Sequence, residues 1–236
     1  MTITTMTNLK INNWKKFIPY VIWGIIGLLL LIFIIKTSVF EAQYYNEKEG
    51  SERAQVEGVS SVEKVIEPVD ETEPTEPEVT EYTVPADQPR YLTISKIGVY
   101  KARVITVWVK ASGELGTPAN IFDAGWYGGS GKPGQGGTLL IDGHNGGPSK
   151  VGIFKNLPAV AEDDIIEIER GDGAIFKYKV VENKSVLLSE ADAYMRTAQQ
   201  SPVAGKESIT IITCTGEWSD VQKTYLSRQF LRAVIE

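Results

Sequence analysis

The chain has one cysteine and one histidine among its 236 residues. No intramolecular disulfide can therefore form. A zinc site normally takes three or four ligands from Cys, His and carboxylates, and no carboxylate pair stands at a suitable spacing from Cys214 and His144. We predict no metal and no cofactor. Positive charge is also scarce: residues 90–236 carry a net charge of only +1, which excludes the electrostatic footprint of a nucleic-acid-binding domain.

Long apolar runs are absent except for one near the N-terminus. Residues 17–35 carry no charged side chain, and about 20 apolar residues suffice for a helix to cross a bilayer. A cleaved signal peptide is the alternative, but its apolar region would be shorter and would end at a small-residue cleavage site. Three lysines precede the run and one follows it. The positive-inside rule then predicts a cytoplasmic tail over 1–16, a single transmembrane helix over 17–36, and an extracellular remainder.

The next segment, residues 37–89, is predicted to be a disordered linker. It is rich in Glu, Pro and Thr, and residues 41–89 alone carry 14 acidic side chains against three basic ones. Such a composition buries too little apolar surface to fold. We interpret it as a solvated spacer that lifts a C-terminal domain away from the membrane, rather than as a binding tail.

Residues 90–236 are predicted to form a mainly β domain. Short β-type runs alternate with Gly, Pro and Asp punctuation, which is typical of a barrel or a sandwich. Helical signals are few, namely 189–200 and one turn within 150–157. The candidate strands are 90–95, 102–109, 137–143, 164–170, 174–182, 208–214 and 225–235.

The single thiol and the single imidazole stand at similar places in the sequence. Cys214 ends the apolar run of "SITIITCTGEW", and His144 follows that of "LLIDGHNGG". A lone cysteine is often buried and inert, and a lone histidine is often structural. If both strand ends lie at one rim of a barrel, however, the two side chains meet, and an adjacent imidazole can generate or manage a thiolate nucleophile.

An arginine in the last candidate strand is the third residue of interest. Alternation places Arg228 and Arg232 on a face with Leu226, Phe230 and Val234, where a cation is unusual unless it is paired or lies at an active-site rim. The fixed N–H donors of arginine suit an oxyanion that develops during acyl transfer. We assign this role to Arg228 and a surface salt bridge to Arg232.

Together these residues resemble the sortases, cysteine transpeptidases of bacterial surfaces. "TIITC" at 210–214 is similar to the family's T-L-x-T-C signature, with Ile for Leu, and "LIDGH" is similar to the strand that ends in the family's histidine. Arg228 follows Cys214 by 14 residues, where the family has its arginine. The resemblance covers essentially 90–236 and implies an eight-stranded barrel with one or two short helices.

The resemblance also implies a reaction. Cys214 would attack the Thr-Gly carbonyl of an LPXTG-like sorting signal on a surface protein, and Arg228 would stabilise the oxyanion. His144 would protonate the leaving amine and then deprotonate an amine of a cell-wall precursor. Thr213 is predicted to line the signal pocket. Asp142, on the same strand face as His144, is interpreted as an acid at the rim rather than as the group that orients the imidazole.

Two other functions remain open from the sequence. An L,D-transpeptidase of peptidoglycan is also exported, β-rich and dependent on Cys and His, but the Ser-His-Gly-Cys type motif of that family is absent from "IITCTG". A membrane-tethered binding domain with an inert Cys214 is the non-catalytic alternative.

Overall fold

A computed structural model describes residues 69–110 and 113–236 of the chain. Their eight strands close into a barrel in the order β1-β2-β3-β4-β7-β8-β6-β5, which confirms the predicted mainly β, eight-stranded fold. Two α-helices accompany the strands, as predicted, with two short 3-10 helices at Ser95–Ile97 and Leu157–Ala159. The strands are β1 Pro89–Ile94, β2 Val99–Val107, β3 Ala124–Tyr127, β4 Thr138–Asp142, β5 Ile165–Arg170, β6 Ile175–Leu187, β7 Ser208–Ser219 and β8 Thr224–Ile235, and the helices are α1 Glu76–Thr80 and α2 Leu188–Ala198.

None of the helices in the described part of the chain has the length and apolar character to cross a membrane. The predicted cytoplasmic tail at 1–16 and the transmembrane helix at 17–36 lie outside the described residues, as does the linker from 37 to 68. These three assignments stay predictions.

The barrel interior is built by strict alternation along its central strands. On β7, Ile209 and Ile211 are fully buried in the main core, and on β8 Leu231 and Ala233 are buried there too. Because successive side chains of a strand point to opposite faces, the residues between them lie on the outer face of the barrel.

Helix α2 covers part of this outer face with a second, smaller core. Ile212 of β7 and Phe230 of β8 pack there against Ala191 and Ala198 of the helix. Tyr194 meets Phe230 edge-to-face, with ring centroids 4.8 Å apart. The outer face of β7 and β8 is therefore apolar where α2 packs against it.

Arg232 differs from its predicted role as a surface salt bridge. Its side chain is buried, only 6 % of the residue being exposed, because it lies beneath the C-terminal end of α2. One guanidinium nitrogen donates to Glu182 at 3.0 Å, and the other donates to the carbonyl of Gln200 at 2.7 Å. A cation at this end of a helix also complements the helix dipole, so Arg232 fastens α2 to the barrel.

The linker prediction is wrong for residues 69–89, which follow a defined path over the barrel. Thr75 and Glu78 form a capping box that begins α1. Asp70 forms a parallel β-bridge with Asn120, and the hydroxyl of Tyr82 donates to the carbonyl of Val104 at 2.7 Å. Composition missed this segment because polar side chains and backbone groups, rather than a periodic apolar face, attach it.

Candidate active site

Cys214 lies near the C-terminal end of the apolar half of β7, on the outer face of the barrel. Its side chain points to the same face of β7 as that of Ile212, which packs under α2. Ile211 points to the opposite face, into the barrel core. Cys214 is partly exposed and is not part of a disulfide. Strand β7 continues past Cys214 to Ser219, so the thiol does not stand at a strand end as the sequence predicted. A partly exposed thiol on the outer face of a strand is still accessible to a substrate, as a nucleophile must be.

Strand register brings His144 and Arg228 level with Cys214. Arg228 of β8 is the direct cross-strand partner of Cys214. Strand β4 runs parallel to β7 and ends at Asp142, opposite Ile212, so His144 lies in the loop two residues past the end of β4. Neighbouring strands lie about 4.8 Å apart. Cys214 and Arg228 thus lie opposite each other on adjacent strands, and His144 follows the end of the neighbouring strand β4. We call these three residues the row; their catalytic roles stay a prediction.

The His144 ring is held by a backbone carbonyl. Its Nε2 atom lies 2.8 Å from the carbonyl oxygen of Pro118. Because a carbonyl oxygen can only accept, Nε2 carries the proton in this bond, and the hydrogen bond sets which nitrogen is protonated. Nδ1 is therefore the nitrogen at which the neutral ring accepts a proton.

The guanidinium of Arg228 is anchored along its own strand. It donates to the carbonyl oxygens of Tyr225 at 2.8 Å and Ser227 at 3.0 Å, and to Oγ1 of Thr224 at 3.1 Å. A guanidinium has five N–H donors in a fixed fork. Within the described residues these bonds use three of them, so a preoriented cation remains beside the thiol with donors for a substrate oxygen.

Thr213 does not lie where a pocket-lining residue would have to be. It points to the face opposite Cys214 and is 3 % exposed. Its hydroxyl donates to the carbonyl of Gly143 at 2.8 Å. Alternation along β7 is the physical reason for the correction, since neighbours of an outward-facing nucleophile face inward. The residue braces β7 against the end of β4, one residue before His144.

Asp142 is buried on the outer face of β4, two residues before His144. Its Oδ2 atom accepts a hydrogen bond from Oγ1 of Thr117 at 2.7 Å. Among the residues that the structure describes, its Oδ1 atom has no hydrogen-bond partner. Burial raises the pKa of this carboxyl to about 7, against the opposing effect of the Thr117 hydroxyl.

The comparison with protein families decides the assignment. The model of the sortase domain matches residues 92–235, which is more than half of the chain and includes all three residues of the row. The chain belongs to the sortase family. The family is one of cysteine transpeptidases.

Solved sortases are similar to this chain at low identity. A Clostridium perfringens sortase D5 transpeptidase is 20% identical over 66% of this chain and 84% of its own, with a TM-score of 0.45. Sortase A from Corynebacterium diphtheriae, as a lid mutant, is 27% identical over 64% and 73%, with a TM-score of 0.44. Sortase C from Streptococcus pneumoniae is 17% identical over 72% and 79%, with a TM-score of 0.45. No curated protein matches the chain.

In this sortase the segment before the barrel contacts both loops beside His144. Asp70 exchanges backbone hydrogen bonds with Ala119 and Ile121, in the loop that contains Pro118. The carboxylate of Glu71 accepts from the backbone N–H groups of Ser149 at 2.8 Å and Lys150 at 2.9 Å, in the loop that follows His144. The sequence did not predict these contacts. The one signal that could have indicated them is the three carboxylates within residues 69–73.

The sortase should lose stability when the Thr213 hydroxyl is removed. Thr213→Val leaves the buried carbonyl of Gly143 without this donor, so we expect the free energy of unfolding to fall by about 1–3 kcal/mol. Urea unfolding followed by near-UV circular dichroism measures the change. Thr106→Val is the matched control, because among the described residues that hydroxyl makes one long hydrogen bond, 3.4 Å to Gln88. Equal losses in both variants would contradict a bracing role for Thr213.

Proposed function

We propose that the chain is a membrane-anchored transpeptidase that cleaves an LPXTG-like sorting signal between Thr and Gly. The acyl part of the surface protein passes to Cys214 and then to an amine of a cell-wall precursor. The observation that supports this proposal is the strand register, which pairs Arg228 with Cys214 and ends β4, two residues before His144, opposite Ile212.

The first half-reaction forms a thioester. The thiolate of Cys214 attacks the carbonyl carbon of the Thr-Gly bond, and the carbonyl oxygen becomes an oxyanion. Arg228 lies directly across from the thiol and supplies a fixed cation with N–H donors for that oxyanion. When the C–N bond breaks, protonated His144 gives its proton to the leaving glycine amine.

The second half-reaction runs through the same groups in the opposite direction. An amine attacks the thioester carbonyl, Arg228 stabilises the second oxyanion, and the C–S bond breaks to return the thiolate. Neutral His144 accepts the proton that the attacking amine loses. Because the Nε2–H of the ring is bonded to Pro118, Nδ1 is the nitrogen to which we assign both proton transfers.

We further propose that residues 17–36 anchor the enzyme in the cell membrane, with residues 1–16 in the cytoplasm and the barrel outside. The uncharged run at 17–35 and its basic N-terminal flank support this orientation. An extracellular barrel on an acidic spacer would meet exported surface proteins and cell-wall precursors, which are the proposed partners.

The decisive experiment uses the full chain in lipid nanodiscs. It is incubated with LPXTG-type peptides that vary at each position and with an amine acceptor, and the products are read by mass spectrometry. We expect an adduct in which the peptide, cut after Thr, is joined to the amine. A thioester-linked adduct on Cys214 should be trapped when the amine is omitted.

Two results would contradict this proposal. Absence of Thr-Gly cleavage from every peptide, with wild-type and Cys214→Ala proteins giving the same mixture, would leave only a binding role for the domain. Cross-linking of peptidoglycan stem peptides in place of sorting peptides would favour an L,D-transpeptidase reaction.

A further inference from the structure

Two adjacent residues, Thr117 and Pro118, contact the outer face of β4 at two points. The hydroxyl of Thr117 donates to Oδ2 of Asp142 at 2.7 Å. The carbonyl of Pro118 accepts from Nε2 of His144 at 2.8 Å. Proline fixes its own φ angle, which restricts the backbone between these two contacts. The position of the Asp142 carboxylate and that of the His144 ring are thereby linked.

Packing on β3 reinforces the link. Gly125 is the cross-strand partner of Asp142. A Cβ atom at Gly125 would lie 2.7 Å from Cδ of Pro118 and would also collide with Oδ1 of Asp142. The carboxylate and the proline ring therefore both pack against the bare backbone of this glycine. A larger residue at 125 would have to displace one or both.

The cost of this arrangement indicates a function. Asp142 is 9 % exposed, and within the described residues its Oδ1 atom makes no hydrogen bond. Burying a carboxyl group with an unpaired oxygen opposes folding. Costly ionisable groups of this kind are concentrated at functional sites. The contact with the loop segment that holds the imidazole of His144 gives Asp142 such a function.

We propose that Asp142 and Thr117 are positioning residues for His144. Their hydrogen bond holds the loop segment 117–118 so that the Pro118 carbonyl keeps the imidazole in its Nε2–H form, with Nδ1 left for proton exchange. The kinetic consequence of this inference rests on the proposed transpeptidase function. The effect on the protonated nitrogen of the His144 ring does not depend on that function.

The single histidine of the chain makes a direct test possible. The full chain, labelled with ¹⁵N at histidine and held in detergent micelles, gives the nitrogen signals of one imidazole, and these distinguish the two neutral forms. We expect the Nε2–H form in the wild type and a mixture in Thr117→Val and Asp142→Leu. In the same variants kcat for peptide transfer should fall by about 10-fold to 100-fold, with KM nearly unchanged, because the ring is misplaced.

The conservative variant separates a hydrogen bond from a charge. Asp142→Asn keeps an oxygen that accepts from Thr117, so it should retain the Nε2–H form and most of the wild-type kcat. Gly125→Ala leaves all four interacting groups in place but crowds Asp142 and Pro118, so it should shift the ring in the same direction as Thr117→Val. Thr106→Val on β2 is the control for the loss of a threonine hydroxyl and should match the wild type.

The outcomes separate this inference from the proposed function. An unchanged imidazole signal and unchanged kcat in Thr117→Val and Asp142→Leu would overturn the inference while transfer activity persists. Asp142→Asn as impaired as Asp142→Leu would overturn it too, since charge rather than the hydrogen bond would then matter. If the wild-type chain transfers no peptide, but its imidazole signal shifts in Thr117→Val and Asp142→Leu, the inference would be supported and the proposed function overturned.

Discussion

Cys214→Ala is expected to reduce peptide transfer by a factor of about 10⁴ or more, because without the thiol no thioester can form. Loss of the oxyanion donor in Arg228→Ala should lower kcat by about 10²-fold to 10³-fold. Loss of the acid and base in His144→Ala should cost about 10²-fold to 10⁴-fold. Single-turnover assays on the full chain in nanodiscs measure all three.

The fold should survive these substitutions, since the three side chains lie on the partly exposed outer face rather than in the barrel core. Near-UV circular dichroism and the melting temperature check this point. Arg196→Ala is the matched control for Arg228→Ala, because Arg196 is an exposed arginine in the last turn of α2. If Arg196→Ala impaired transfer as much as Arg228→Ala, a specific role for the guanidinium beside the thiol would be contradicted.

The three residues should also act as a unit. The double variant Cys214→Ala with Arg228→Ala should be no slower than Cys214→Ala alone, because an oxyanion stabiliser is useless once its intermediate no longer forms. Additive losses in the double variant would mean that Arg228 serves another purpose, such as binding the peptide.

The wild-type rate should have a bell-shaped dependence on pH, from the two groups that exchange protons during the reaction.

The sequence was informative where strands alternate and end in polar loops. Runs such as 208–214 and 225–235 have the two-residue period of half-buried strands, and they form the first half of β7 and nearly all of β8. Strands β4 and β7 are parallel neighbours, but only β4 ends near this level, at Asp142 opposite Ile212, whereas β7 continues past Cys214 to Ser219. The end of the apolar run therefore marked the position of Cys214 on β7, but it did not mark the end of the strand.

Features that depend on tertiary contacts were missed or misplaced. Strand β3, "AGWY", is short and has no alternation, because Ala124, Gly125 and Trp126 are all buried between β2 and β4. Arg232 looked like a surface cation because nothing in its own strand reveals that α2 ends above it. The attachment of residues 69–73 depends on carboxylates that bind backbone groups far along the chain, a pairing that no local pattern encodes.

Asp142 links the stability of the barrel to pH, with a sign that is opposite to that of most carboxyl groups. Burial raises the pKa of this carboxyl in the folded chain from its ordinary value of 3.8 to about 7. The folded state therefore holds the proton more tightly than the unfolded state does. The stabilisation from that proton is complete below pH 4 and is lost as the pH rises through 7.

Asp142→Asn removes this dependence and should make the sortase relatively more stable at high pH. Between pH 4 and pH 8 the free energy of unfolding of the variant, minus that of the wild type, should increase on the order of 3 kcal/mol. Taking the difference cancels the titration of every other carboxyl group, as well as any pH-independent cost of the buried amide. Urea unfolding of both proteins across this range measures it. A difference that stays constant with pH would show that Asp142 is not the source of the linkage.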